Sequence, residues 1–197
     1  MAHLTSPSKE QMSALEPLGR LELCDIVLVS TRHQAEQACL ELQQQRVLGF
    51  DTESKPTFVR DEVSQGPHVV QFSTLQRAYV FQLHDALCRQ VVCVLLESEA
   101  ITKVGFGLAG DQQQILRTLG VTPRNLLDLN LIFRGRGYIK ELGVRAAVAL
   151  VFNRRFVKSR KATTSNWANR QLSQSQIVYA GNDAWAAIKV HHALELA

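Results

Sequence analysis

No C-x-x-C pair occurs among the four cysteines, Cys24, Cys39, Cys88 and Cys93. The usual zinc and dithiol spacings are therefore missing. Cys88 and Cys93 fall in an apolar, helix-like run and read as small core residues, which points to a reducing, intracellular setting, cytoplasmic or nuclear. No apolar run approaches the roughly 20 residues that cross a bilayer, so no membrane partner is expected. The first 20 residues, MAHLTSPSKEQMSALEPLGR, have no apolar centre of the kind a signal peptide needs. They are expected to form a flexible arm ahead of one domain over 21–197. Acid is missing locally: between 142 and 182 there is no Asp or Glu, while Arg145, Arg154, Arg155, Lys158, Arg160, Lys161 and Arg170 all fall there. Such a stretch is either a solvated basic surface or a face for a polyanion such as nucleic acid.

What is present fits one globular domain: 197 residues, 46% hydrophobic, 20% charged, net charge +4. CDIVLVS reads as a strand, and Thr31 as the N-cap of a helix over TRHQAEQACLELQQQ. RVLGFDTE is a strand with acids at its end. HVVQFSTL and AYVFQL read as an antiparallel hairpin. HDALCRQVVCVLLES has the apolar spacing of a helix. TKVGF is a strand, AGDQQQILRTLG a helix ended by Gly120, and NLLDLN a further strand. YIKELGVRAAVALVF reads as one helix. A basic connector leads to a long final helix, with Ser173 at its N-cap. The sum is an α/β domain with a mixed sheet flanked by helices.

Gly105-Phe106-Gly107-Leu108-Ala109-Gly110 is a literal G-x-G-x-x-G between a strand and a helix, with Asp128 downstream to take a ribose hydroxyl. Against a dinucleotide site, Asp111 occupies the first turn, where a carboxylate would compete with a pyrophosphate for the helix N-terminus. The alternative makes Asp111 the point of the stretch, an inward acid kept ionised by the helix dipole.

Asp51 and Glu53 stand at i and i+2 on a strand, so both point to one side. They form either a solvated strand end or half of a site for a hard divalent cation. In YAGND, Tyr179 and Asp183 stand at i and i+4 and share one helix face. Asp183 there is an acid on a helix of small apolar residues, and it needs a partner.

FDTE, then VGFGLAGD, then YAGND with its Y-x-x-x-D spacing resemble the DEDD exonuclease superfamily, in the tyrosine-containing branch of ribonuclease D and the Werner-type exonuclease domains. KSRKATTSNWANRQLSQSQIVYAGNDAW, with its Ser-Asn-Trp, resembles the Werner-type stretch before the last acid. The resemblance runs from about Leu23 to the C-terminus. Gly181-Asn182 departs from the usual small residues. The histidine branch fits less well, because its histidine position holds Val178.

The resemblance implies a ribonuclease-H-like, mixed five-stranded sheet and 3′→5′ hydrolysis of phosphodiesters at single-stranded 3′ ends, releasing nucleoside 5′-monophosphates. It implies two divalent ions, Mg²⁺ or Mn²⁺, about 4 Å apart. Asp51 would bridge them, Glu53 and Asp183 would complete the first site, and Asp111 would hold the second. Tyr179 would orient the attacking water. Substrate contacts are expected from Thr52, Lys158, Arg160, Lys161 and Arg170. Phe58 either stacks on the terminal base or merely packs, and Trp167 is expected to pack under the last helix. DNA and RNA both stay open as substrates, as does the oligomeric state. A silent exonuclease fold that binds nucleic acid without cutting it is the other reading.

Overall fold

The computed structural model describes residues 4–57 and 63–195. Phe58 lies outside the described residues, as does the side chain of Arg160.

Among the described residues six strands form one sheet in the order β1-β4-β3-β2-β5-β6. They are β1 (Ile26–Val29), β2 (Val47–Glu53), β3 (Val69–Ser73), β4 (Ala78–Gln82), β5 (Thr102–Gly105) and β6 (Leu126–Asp128). β2, β3 and β4 pair antiparallel, whereas β1 joins β4, β5 joins β2 and β6 joins β5 in parallel. Each run read as a strand from the sequence is one. The count exceeds by one the five implied by the resemblance; a four-residue strand at one edge and a three-residue strand at the other make the difference one of edges.

Alternation along the central strands makes two cores. Phe50, Val70, Phe72 and Phe81 face α2 (Arg32–Gln43), α3 (Ala86–Glu97) and α4 (Ala109–Leu119). Phe72 stacks between Phe50 and Phe81, with ring centroids 5.6 and 6.0 Å away. Val69, Ala78, Val80 and Val104 face the other way, toward α8 (Gln174–Glu195). Almost the whole of α8 is buried, and its face is built from Ala180, Gly181, Ala184 and Ala187. Those small residues let the helix approach the sheet closely. A Cβ added at Gly49 on β2 would overlap the Ala184 carbonyl. That contact brings the acidic end of β2 beside the acid of α8.

The caps are where the sequence places them. Thr31 and Gln34 form a reciprocal capping box, Gly120 ends α4 at φ 72°, and Ser173 accepts from Gln176 N at 3.3 Å. Three segments differ from the reading. The helix expected over 138–152 is only α6 (Val144–Phe152), because Gly143 sits at its N-cap and Leu142 N is bound to Asn130 Oδ1 at 2.7 Å. After β6, Asp128 caps an unanticipated helix, α5 (Leu129–Gly135). The basic connector contains a short helix, α7 (Arg160–Thr163), capped by Ser159. Toward the N-terminus, α1 (Lys9–Ser13) is followed by two backbone bonds to Arg155, from Leu18 N at 2.9 Å and to Glu16 O at 2.8 Å. Leu21 exchanges hydrogen bonds with the Asn182 side chain at 2.9 and 3.0 Å. The Asn182 that departs from the family pattern thus ties the entry of the domain to α8.

Candidate metal and catalytic site

The C-terminal end of β2 presents Asp51 and Glu53 on the α8 face, as the two-residue period requires. Asp183 comes down onto them from α8. One carboxylate oxygen from each of the three lies within 4.8 Å of the others. Burial pushes the Asp51 carboxyl up to about 8, with the charges of Asp183 and Asp111 adding and Lys158 opposing. Burial, then Asp51 and Asp183, pushes Glu53 up to about 10. Asp183 is also raised, by burial first, with the Lys158 ammonium pulling the other way. Three carboxylates that each resist ionisation are what a buried cluster of like charge produces.

Asp111 stands apart from this trio. It lies in the first turn of α4, on the opposite side of β2, where it accepts a hydrogen bond from the Thr52 hydroxyl. Burial raises its pKa and outweighs the bonds from Thr52 and the backbone, which pull the other way. Thr52, expected to touch substrate, spends its hydroxyl on Asp111. Next to it, Ser54 donates to Gln114 Oε1 at 2.8 Å, so the end of β2 and α4 are joined twice.

The glycine motif serves this geometry. A Cβ at Gly105 would come within 2.7 Å of Phe50 O, and Gly107 takes a φ of 69°. Asp128 is consumed by backbone: Leu108 N donates to Oδ2 at 3.1 Å and Asn130 N to Oδ1 at 2.9 Å. It braces the turn that delivers Asp111, and a ribose would find neither oxygen free of a donor.

Tyr179 is buried one helical turn before Asp183, with its ring centroid 5.8 Å from that of Trp167. Trp167 packs under α8 as expected, 1% exposed. Thr163 Oγ1 donates to the Tyr179 hydroxyl at 3.2 Å. Burial, then the Asp183 charge, pushes the phenol up to about 12. It therefore stays protonated; Thr163 Oγ1 also donates to Ser159 O at 3.1 Å, so the one threonine proton is shared between the two acceptors.

The basic connector divides. Lys161 and Arg170 are exposed. Lys158 is drawn inside, its Nζ 2.6 Å from Asp183 Oδ2 and 5.1 Å from the Tyr179 ring centroid. Burial alone would lower its pKa; the carboxylate of Asp183 reverses this and holds it above the usual lysine range. Sequence reasoning did not single out Thr163 or Arg145, whose guanidinium donates to Lys158 O at 3.5 Å. A Thr sixteen residues before the tyrosine carries no periodic signal.

The donor set fits a divalent cation. Its atoms are hard oxygens, they converge, and they repel one another. Among the described residues Asp183 Oδ1 is buried with no hydrogen-bond partner, an acceptor open to a ligand or water.

Comparison with known proteins agrees. A family model described as 3′-5′ exonuclease matches residues 26–197. The mouse bifunctional 3′-5′ exonuclease/ATP-dependent helicase WRN is 26% identical over 162 residues, 81% of this chain and 12% of that protein. The human exonuclease mut-7 homolog is 30% identical over 191 residues, 83% of this chain and 21% of that protein. Ribonuclease D of Haemophilus influenzae is 28% identical over 101 residues, 51% of this chain and 25% of that protein. The chain therefore spans only a minor part of each of these relatives. Solved structures share the fold. The Nibbler EXO domain of Aedes aegypti matches over 90% of each chain at TM-score 0.75 and 21% identity. Ribonuclease D of Trypanosoma brucei matches over 86% of this chain and 64% of its own at TM-score 0.77 and 20% identity. With the acids of three motifs around the end of one strand and the family model spanning the whole sheet and α8, this chain belongs to the 3′-5′ exonuclease family of the DEDD superfamily.

Proposed function

We propose that the domain is a metal-dependent 3′→5′ exonuclease that removes nucleoside 5′-monophosphates from nucleic-acid strands by the chemistry of the tyrosine-containing branch. The observation that carries this reading is the convergence of Asp51, Glu53 and Asp183 within 4.8 Å, one helical turn from a buried tyrosine. Asp51, Glu53 and Asp183 would hold one divalent ion, Mg²⁺ or Mn²⁺. Asp111, across β2 and fixed by Thr52, would serve a second together with Asp51. Such ions supply Lewis-acid charge that activates water and offsets the charge of the scissile phosphate.

The chain's own residues do the positioning. Tyr179 presents its hydroxyl to the attacking water from one helical turn before Asp183. A phenol held up at about 12 orients that water and does not deprotonate it at neutral pH. Lys161 and Arg170, exposed on the connector that leads into α8, supply positive charge for the phosphate backbone. Gln176 Nε2 donates to Ser165 Oγ at 3.0 Å and anchors that connector to α8, so the basic surface stays in register with the site.

The experiment is digestion of 5′-labelled and 3′-labelled single strands, DNA and RNA in parallel, with Mg²⁺, Mn²⁺ or EDTA, against Asp183→Asn. A metal-dependent 5′-labelled ladder, immediate loss of the 3′ label, and neither with the variant are expected. Retained binding without cleavage under every metal condition would overturn the reading in favour of a silent binding module.

A further inference from the structure

The sequence assigns Lys158 to the substrate, yet the fold places its ammonium in the carboxylate cluster. Nζ lies 2.6 Å from Asp183 Oδ2, with the lysine side chain 20% exposed and the aspartate 3%. The backbone on either side is anchored. Phe156 is buried in the core, Ser159 caps α7, and Arg145 holds the Lys158 carbonyl. The position of the side chain is thus a product of the fold.

One ammonium faces Asp51, Glu53 and Asp183 together. It satisfies Asp183 Oδ2 and leaves Asp183 Oδ1 without a hydrogen bond among the described residues. A monovalent cation with one close contact is a partial answer to three carboxylates, and a divalent ion answers them better. The lysine also has somewhere to go. Its stem is flexible, and a cavity of about 630 Å³ adjoins it, lined in part by Gly19, Arg20, Ser159, Tyr179 and Asp183.

We propose that Lys158 is an intrinsic counter-cation of this site: its ammonium and an incoming divalent ion compete for Asp183, and the ion binds by displacing Lys158 into the adjoining cavity. The inference rests on the metal-dependent reading above. It gives Lys158 two consequences. It holds the carboxylate cluster together before the ion arrives, and it weakens the ion's apparent affinity by the strength of its own contact.

Two measurements on the full chain test this. The first is reductive methylation of the wild-type protein, read lysine by lysine by mass spectrometry in EDTA and in saturating Mn²⁺. Displacement predicts that Lys158 becomes several-fold more reactive with Mn²⁺, while the exposed Lys9 and Lys161 keep their rates. The second is calorimetric titration of Mn²⁺ into wild type and Lys158→Gln. Loss of the competitor predicts at least about tenfold tighter binding by the variant. The exposed Arg154→Gln removes the same charge outside the site and is expected to bind Mn²⁺ as wild type does. Unchanged or reduced Lys158 reactivity on adding Mn²⁺ overturns displacement even if the affinities differ, since a fixed neighbouring cation would also repel the ion. Equal or weaker binding by Lys158→Gln overturns competition. No Mn²⁺ binding by either protein overturns this inference and the metal reading beneath it.

Discussion

Asp51→Asn should make the metal-free protein more stable, against the usual direction for a substitution at a catalytic residue. Asp51 is held at about 8 by burial and by the charges of Asp183 and Asp111. In the unfolded chain the same carboxyl titrates near about 3.9. As pH rises through that window, the unfolded chain gives up its proton while the folded chain keeps it. The stability penalty from Asp51 therefore builds from about pH 4 and is complete above about pH 8. At about 1.4 kcal/mol per pH unit the loss by pH 7 reaches roughly 4 kcal/mol at most. The side chain is only partly buried, and Glu53, Asp183 and Lys158 share the charge, so about 1–3 kcal/mol is the working figure. For a domain of this size that is a melting temperature raised by roughly 3–10 °C. Asparagine keeps the amide acceptor that Thr52 N uses at 3.0 Å, so the local backbone is undisturbed. The assay is thermal melting in EDTA from pH 4 to 9, repeated with Mn²⁺. The gap should be near zero at pH 4 and widest above pH 8, and should reverse with saturating Mn²⁺, where the variant is short of a ligand. A variant no more stable than wild type at pH 8, or a gap that ignores pH, would refute the electrostatic account of the site.

Tyr179→Phe should lower kcat by about 100-fold with little change in KM, because it removes one positioned donor and leaves the ring packed on Trp167. With the phenol at about 12, the wild-type rate should show no tyrosine ionisation between pH 6 and 10; a basic limb that vanishes in the variant would make the phenolate the acting form. Gly49→Ala should cost about 3 kcal/mol in denaturant melts and weaken Mn²⁺ binding, since the new methyl overlaps the Ala184 carbonyl and pushes α8, with Asp183, away from β2. A loss below about 1 kcal/mol would mean that α8 has slack which the static packing does not show.

Periodic features carried most of the site in the sequence. Asp51 and Glu53 share a face because a strand repeats every two residues, and Tyr179 and Asp183 because a helix repeats near four. Those rules fix direction only inside regular elements. They could not separate Asp111 from the trio, because that depends on which face of the sheet α4 packs against, and Thr52, pointing opposite to its neighbours, records it only through the bond it makes. They also failed across 138–143, where an apolar, helix-like composition is overridden by the bond from Leu142 N to the Asn130 side chain and by Gly143. Lys158 is the sharpest case. Its local signal is one basic residue among several, and composition assigns them all to the surface. What separates it from Lys161 is distance in space to a carboxylate 25 positions along the chain, set by the burial of Phe156 and the cap at Ser159. A residue in an irregular connector has no period by which to state its direction. Its role can be stated only once α8 has brought Asp183 to it, so the cation of this site is a tertiary fact even though its acids are nearly a local one.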